Sequence, residues 1–128
     1  MLIGIKSVYD RPDITDGKRV LVDRLWPRGI KKSTVNLDFW MKDVAPSTEL
    51  RQWFSHDPKK WEKFKARYWK EISENKVFKE LIALVEANDV TFLFSSKERR
   101  YNNAVALASF IKRGIKKEKP AAKKAFKS

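Results

Sequence analysis

The 128-residue chain contains no cysteine, one histidine, four glycines and five prolines. Without cysteine there is no disulfide, no thiolate nucleophile and no sulfur-rich zinc site, and a single histidine argues against a His-rich metal centre. No metal and no cofactor are therefore expected. Scarce glycine has its own consequence. Neither the Gly-x-x-x-x-Gly-Lys phosphate loop nor the Gly-x-Gly-x-x-Gly fingerprint occurs, so the standard backbone cradles for nucleoside triphosphates and dinucleotides are disfavoured. No apolar run approaches the roughly 20 residues that cross a bilayer, and the opening MLIGIKSVYD meets Lys6 and Asp10 too soon for a secretory signal. The expectation is a cytoplasmic chain with no membrane partner, in a reducing compartment. The sequence carries no sign of its oligomeric state.

What is present is apolar material and positive charge. Hydrophobic residues make up 42% and aromatics 12%, with five tryptophans. That suffices for one core, at a length that buries about two-thirds of the unfolded surface. Twenty-nine basic residues against 16 acidic ones give a net charge of +13, a field that draws anions and weakly holds nucleic acid. About half of this excess lies from Lys112 onward, where eight basic residues face only Glu118. Residues 1–113 are expected to form one compact domain. Residues 114–128, with Pro120 and no sustained apolar face, read as a basic, flexible tail.

LIGIKSVY and RVLVDRLW have the length and β-branched content of strands. About nine turn-rich residues separate them, which makes a hairpin the default. Leu37, Trp40, Met41 and Val44 recur at helical spacing before Pro46, and Ser47 suits the cap of a short helix through Phe54. Asp57 and Pro58 then open a helix with Trp61, Phe64, Tyr68 and Ile72 on one face. A further helix over residues 76–87 turns Val77, Leu81, Leu84 and Val85 inward. NDVTFLFSS supplies the most apolar strand, expected to be central and buried, and Ala104, Leu107, Ala108 and Ile111 define a last helix with Gly114 as its stop. Trp40, Trp53, Trp61 and Trp69 fall at spacings that suit core contacts. The fold class is α/β: a small, mostly parallel or mixed sheet of about three to four strands covered by helices, with the last strand parallel to a neighbour.

In such sheets ligands sit beyond the carboxyl ends of the strands. Asp23, Arg24, Trp26, Arg28 and Gly29 follow the second strand; Ser95, Ser96 and Lys97 follow the third. If those strands are parallel neighbours, both sets converge on one crevice. Arg24 and Arg28 would grip a phosphate or carboxylate, Lys97 would add a point charge, and Gly29 would let the chain turn close to the ligand. Asp23 fits either an orienter of those arginines or a general base. Trp26 fits core packing beside Pro27 or a stacking face for a base or sugar ring. His56 fits either support of a helix start or catalysis. Asn102 and Asn103 stand at the start of the last helix, where they cap it or help an anion to bind.

DGKRVLVDRLWPRGI, APSTELRQWFSHDPKKWEKFKARYWKEI and VTFLFSSKERRYNNAVAL resemble the YeaO-like family, domain of unknown function 488, from Ile3 to about Ile111. The blocks Val22 to Gly29 and Leu50 to His56 carry the likeness. The resemblance implies a compact cytoplasmic α/β domain and no established activity. Relatives end the third strand in Lys-Asp and follow it with Glu-His-Asn. Here Glu98 follows Lys97, and Arg100-Tyr101 precede Asn102, so no family role for a histidine carries over to position 101. The leading functional expectation is a site for an anionic small molecule, nucleotide-like or phosphorylated. The alternative is non-specific nucleic-acid binding through the basic tail.

Overall fold

The computed structural model describes residues 2–114. Four strands, β1 (Ile3–Ser7), β2 (Lys18–Leu21), β3 (Phe39–Trp40) and β4 (Val90–Phe94), form one sheet of order β1-β4-β2-β3. Every pairing is parallel: β4 lies in register with Ile3–Ser7 on one side and with Lys18–Leu21 on the other, and β3 extends the far edge against Val20 and Leu21. Helices α1 (Thr48–Phe54), α2 (Trp61–Ile72), α3 (Lys76–Ala87) and α4 (residues 103–114) complete the architecture.

β4 takes the inner position because all five of its residues are buried. Its alternation divides the core. Val90 and Phe92, with Val20 from β2, belong to the main cluster, which gathers Phe64, Tyr68 and Ile72 of α2, Phe78, Leu81 and Val85 of α3, and Ala104, Leu107 and Ile111 of α4. Each large apolar side chain so buried contributes about 1.5–3 kcal/mol. Leu93 and Leu21 instead join Val8 and Val35 in a second cluster, with Trp26, Ile30 and Leu37 against it. A parallel sheet needs cover on both faces; here the second cover is supplied by the irregular chain between β2 and β3.

The chain between β1 and β2 is not a hairpin. Both strands pair with β4, in the same direction, so the connection steps across it. The most apolar strand gains most from the centre, and a short 3-10 turn, Ile14–Asp16, makes the crossing possible. Asp13 and Asp16 cap that turn reciprocally, and Gly17 closes it at φ 65°. Asp16 then anchors the crossing to the sheet. It accepts from Arg19 Nη1 at 2.5 Å and from Lys6 Nζ at 3.1 Å, while its own carbonyl accepts the Thr91 hydroxyl at 2.7 Å.

The expected helix over Leu37, Trp40, Met41 and Val44 is absent. Asn36 turns left-handed at φ 49°, Phe39–Trp40 adds to the free edge of β2, and only Lys42–Val44 winds into a 3-10 turn. Eight residues before Pro46 are too few for an isolated helix to compete with an open strand edge. Not all tryptophans serve the core either: Trp53 and Trp61 lie against it, whereas Trp40 is 37% and Trp69 44% exposed. Ser47 caps α1 through the amide of Leu50, and Asp57 caps the 3-10 turn Pro58–Lys60 that leads into α2. Gly114, expected to stop the final helix, is still helical, and the tail from residue 115 onward lies outside the described residues. No helix among the described residues is long and apolar enough to cross a membrane.

Candidate functional site

β2 and β4 end side by side, and their continuations build a cleft of about 210 Å³. Asp23 and Arg24 come from β2, Ser95 and Ser96 from β4, Arg51 and Phe54 from α1, His56 from the loop after it, and Asn103 from the first turn of α4. Phe54 and Phe64, stacked 4.1 Å apart, supply apolar lining together with Leu25 and Pro46.

Asp23 is the carboxylate of this cleft, and its oxygens are already occupied. Oδ2 accepts the Ser95 amide at 2.9 Å and the Ser95 hydroxyl at 2.6 Å; Oδ1 accepts the Asn103 side-chain amide at 3.2 Å. Asn103 also donates to the Val22 carbonyl at 2.8 Å, so one side chain ties the end of β2 to the start of α4. Arg24 spends Nε and Nη2 on the carbonyls of Pro46 and Ala45, at 3.3 and 3.0 Å, which leaves Nη1 for a ligand. Arg51 is exposed on the rim.

His56 has φ 55° and follows Ser55 at φ 47°, two successive left-handed residues without a glycine. Backbone of this kind is costly for side chains with a Cβ and is held only where the surroundings fix it. The fixing bond runs from His56 Nδ1 to the Tyr101 carbonyl at 2.8 Å. A carbonyl can only accept, so Nδ1 donates and Nε2 is the ring nitrogen not used in that bond. Nearby, burial raises the Tyr68 phenol well above its ordinary value, and the negative charges of Asp23 and Glu71 add to the effect. Its hydroxyl donates to the Val44 carbonyl.

Five residues expected at the site thus line the cleft: Asp23, Arg24, His56, Ser95 and Ser96. The others lie elsewhere. Arg28 is exposed, and its carbonyl accepts the Tyr9 hydroxyl at 2.8 Å. Gly29 sits third in a turn closed by Ile30 N–H to the Pro27 carbonyl; its φ of 77° explains the glycine, and a Cβ there would meet nothing within 4 Å. Trp26 donates from Nε1 to the Ile30 carbonyl and covers the second cluster. Lys97 is exposed. Asn102, fully buried, caps α4 through the Val105 amide and donates to the Glu98 carbonyl. Glu98 caps its own turn: the Arg100 N–H, aided by that of Tyr101, outweighs its desolvation and holds its carboxyl below the usual range.

Arg51 is the residue that sequence reasoning missed as a ligand group, and Asn103, open there between cap and anion ligand, lines the cleft. Arg51 stands inside the Leu50 to His56 block that carries the family likeness. Asn102 takes the capping role, which frees Asn103 for Asp23. A larger recess of about 370 Å³ between α2 and α4 shares no residue with the cleft and contains the Glu62–Lys65 ion pair. Convergent charge and strain favour the cleft as the site. No group of three or more metal-ligating side chains occurs among the described residues.

The fold and cleft together define a small all-parallel α/β domain with a basic, partly apolar recess at the carboxyl ends of its central strands. The chain belongs to the domain of unknown function 488 family: the pattern described as the inactive DUF488-N3 subclade matches residues 2–127. It is 40% identical over 113 residues to the uncharacterized protein YeaO of Escherichia coli, covering 88% of this chain and 98% of that one. It is 38% identical over 109 residues to the uncharacterized protein Rv3073c of Mycobacterium tuberculosis, covering 85% and 92%. No solved structure matches the chain.

Proposed function

We propose that the chain binds a small anionic molecule, phosphorylated or carboxylated, in the cleft at the strand ends and does not transform it. The observation that carries this reading is the pairing of roles around one recess. Arg24 Nη1 and Arg51 bring donors and positive charge, His56 presents its Nε2 edge, and Asp23, the acid of the cleft, has both oxygens occupied by Ser95 and Asn103. Charge-assisted bonds from guanidinium to phosphate or carboxylate are the strong ones, and a partly apolar recess strengthens them further.

The same bonds argue against catalysis. Both oxygens of Asp23 already accept from protein donors, and Ser95 donates directly to Asp23 without an imidazole between them. His56 is the remaining candidate base. The word inactive in the subclade's description supports binding without turnover. At about 210 Å³ the cleft is below the roughly 300–1,000 Å³ usual for ligand pockets, which favours a phosphate group and a short apolar part over a whole nucleotide. In this reading Arg28 and Lys97 contribute to the surrounding field and not to the grip. A cysteine-free chain of this kind fits the cytoplasm.

Titration calorimetry of the full chain with phosphate, pyrophosphate, nucleotides and phosphorylated metabolites tests the reading. Arg51→Ala is expected to weaken binding by about tenfold or more, the worth of a charged hydrogen bond; equal binding overturns the grip. The alternative, nucleic acid held by the basic residues from Lys112 onward, rests on charge alone. Deleting residues 115–128 separates the two, because cleft affinity survives that deletion and tail-led binding does not.

A further inference from the structure

We propose that Trp26 and Trp40 form a stacking platform for single-stranded nucleic acid, with Lys32 and Lys42 as its phosphate contacts. The two indoles meet edge to face, centroids 5.3 Å apart and planes at 67°, beside the outer strand β3. Trp40 is 37% exposed, and Leu25, next to Trp26 in the chain, is 62% exposed. Both indole N–H groups are already spent on backbone carbonyls, Trp26 on Ile30 and Trp40 on Asp23, each at 2.8 Å. The rings are therefore fixed before any ligand arrives, and what they offer is their faces. Preorganised rings bind at little entropic cost.

Each ring is visited by a lysine. Lys32 Nζ stands 5.7 Å from the Trp26 centroid, and Lys42 Nζ 5.5 Å from that of Trp40. An exposed cation–π contact contributes about 0.5–1 kcal/mol, whereas a base stacked on an aromatic ring contributes about 1–3 kcal/mol. An arriving base displaces the ammonium, whose flexible stem lets it swing to the adjoining phosphate. Protection of an edge strand against aggregation explains the lysines but not the indoles, which enlarge the exposed apolar area such protection is meant to hide.

Charge selects the partner. Residues 24–42 contain five basic side chains and one acid, Asp38, whose carboxylate accepts the Arg19 amide at 2.8 Å. Alternating ring faces and cations match a chain of unpaired bases and phosphates; a duplex would hide the base faces.

Fluorescence anisotropy of a fluorescein-labelled oligothymidylate of about a dozen nucleotides, long enough for one such site, tests this with the full chain. At fixed salt, Trp40→Ala is expected to weaken binding roughly fivefold or more. The double reversal Lys32→Glu/Lys42→Glu is expected to flatten the dependence of log affinity on log salt by about 1.4, the share of two phosphates in a single strand. It changes exposed side chains only and keeps the test valid if Trp40→Ala unfolds. Lys76→Glu/Lys79→Glu, on exposed positions of α3, controls for net charge. Wild-type affinity in Trp40→Ala that remains folded, an equal effect of the two lysine reversals, or equal affinity for duplex of the same length overturns the platform. So does a dimer, seen by light scattering, that the Lys32 and Lys42 reversal dissociates, because a second copy would then be the occupant.

Discussion

Asp23 and Ser95, 72 positions apart, are joined by two hydrogen bonds to one oxygen: Asp23 Oδ2 accepts both the amide and the hydroxyl of Ser95, at 2.9 and 2.6 Å. That junction holds the ends of β2 and β4 together just where the ladder stops, and with Asn103 it forms one wall of the cleft. Asp23→Ala strands an amide and two side-chain groups, so a loss of about 1–3 kcal/mol is expected. Urea denaturation measures it; a change within error would mean that the junction carries no structural weight.

Two left-handed glycines are expected to respond unequally to alanine. At Gly17 a Cβ would lie 2.2 Å from the Asp89 carbonyl oxygen, against backbone that cannot yield, whereas at Gly29 it would meet nothing within 4 Å. Gly29→Ala should cost about 1 kcal/mol, the conformational penalty alone, and Gly17→Ala several times that. Equal shifts in thermal midpoint would contradict the crossing described between β1 and β2.

How much of this was legible in the sequence follows from where the physics is local. The run of apolar residues in VTFLF placed β4 at the centre, and the 3.6-residue period over Phe64, Tyr68 and Ile72 placed α2 against it, because periodicity reports burial directly. The path from β1 to β2 was not legible, since it depends on β4, some seventy residues later, taking the place between them. The two-residue strand at Phe39–Trp40 was masked by a helical spacing that its own length could not sustain. For the site, the rule that loops after parallel strands converge brought Asp23 and Ser95 together, but side-chain direction decided the cations. Arg28 turned away on its glycine turn, and Arg51 arrived from a helix.

Acid is expected to weaken the fold through Asp16. Burial pushes its carboxyl up, but the Asp13 amide, the Lys6 ammonium and the Arg19 guanidinium outweigh burial and leave it below the ordinary range. A group depressed in this way stabilises the fold above its unfolded pKa of about 3.9 and loses that contribution as pH falls through the folded value. Stability should therefore decline below about pH 4. Asp16→Ala should lower stability near neutrality by about 3–5 kcal/mol, because Arg19 stays buried without its partner, and should show a shallower acid limb. An unchanged limb would assign acid sensitivity to other carboxylates.

The alkaline side depends on Tyr68. Its phenol, raised by burial and then by Asp23 and Glu71, stays protonated in the folded chain past the usual range near 10. A group raised on folding contributes stability that is present below its unfolded pKa and is lost as pH rises through the folded value. Absorbance titration at the phenolate band should show one of the three tyrosines ionising only when the protein unfolds. Tyr68→Phe, which leaves the Val44 carbonyl unpaired, should lower stability by about 1–3 kcal/mol.

Because the chain has one histidine, the ring resonances of His56 report on the cleft without ambiguity. Proton–nitrogen correlation spectra of the imidazole, followed as inorganic phosphate and then the best small anion from calorimetry are added, test the binding site most directly. Saturable movement of the Nε2 signal, with Nδ1 still protonated toward Tyr101 and the response weakened in Arg51→Ala, is the result expected of an anion held in the cleft. Tight binding with no change at His56 would place the anion elsewhere and contradict the assignment.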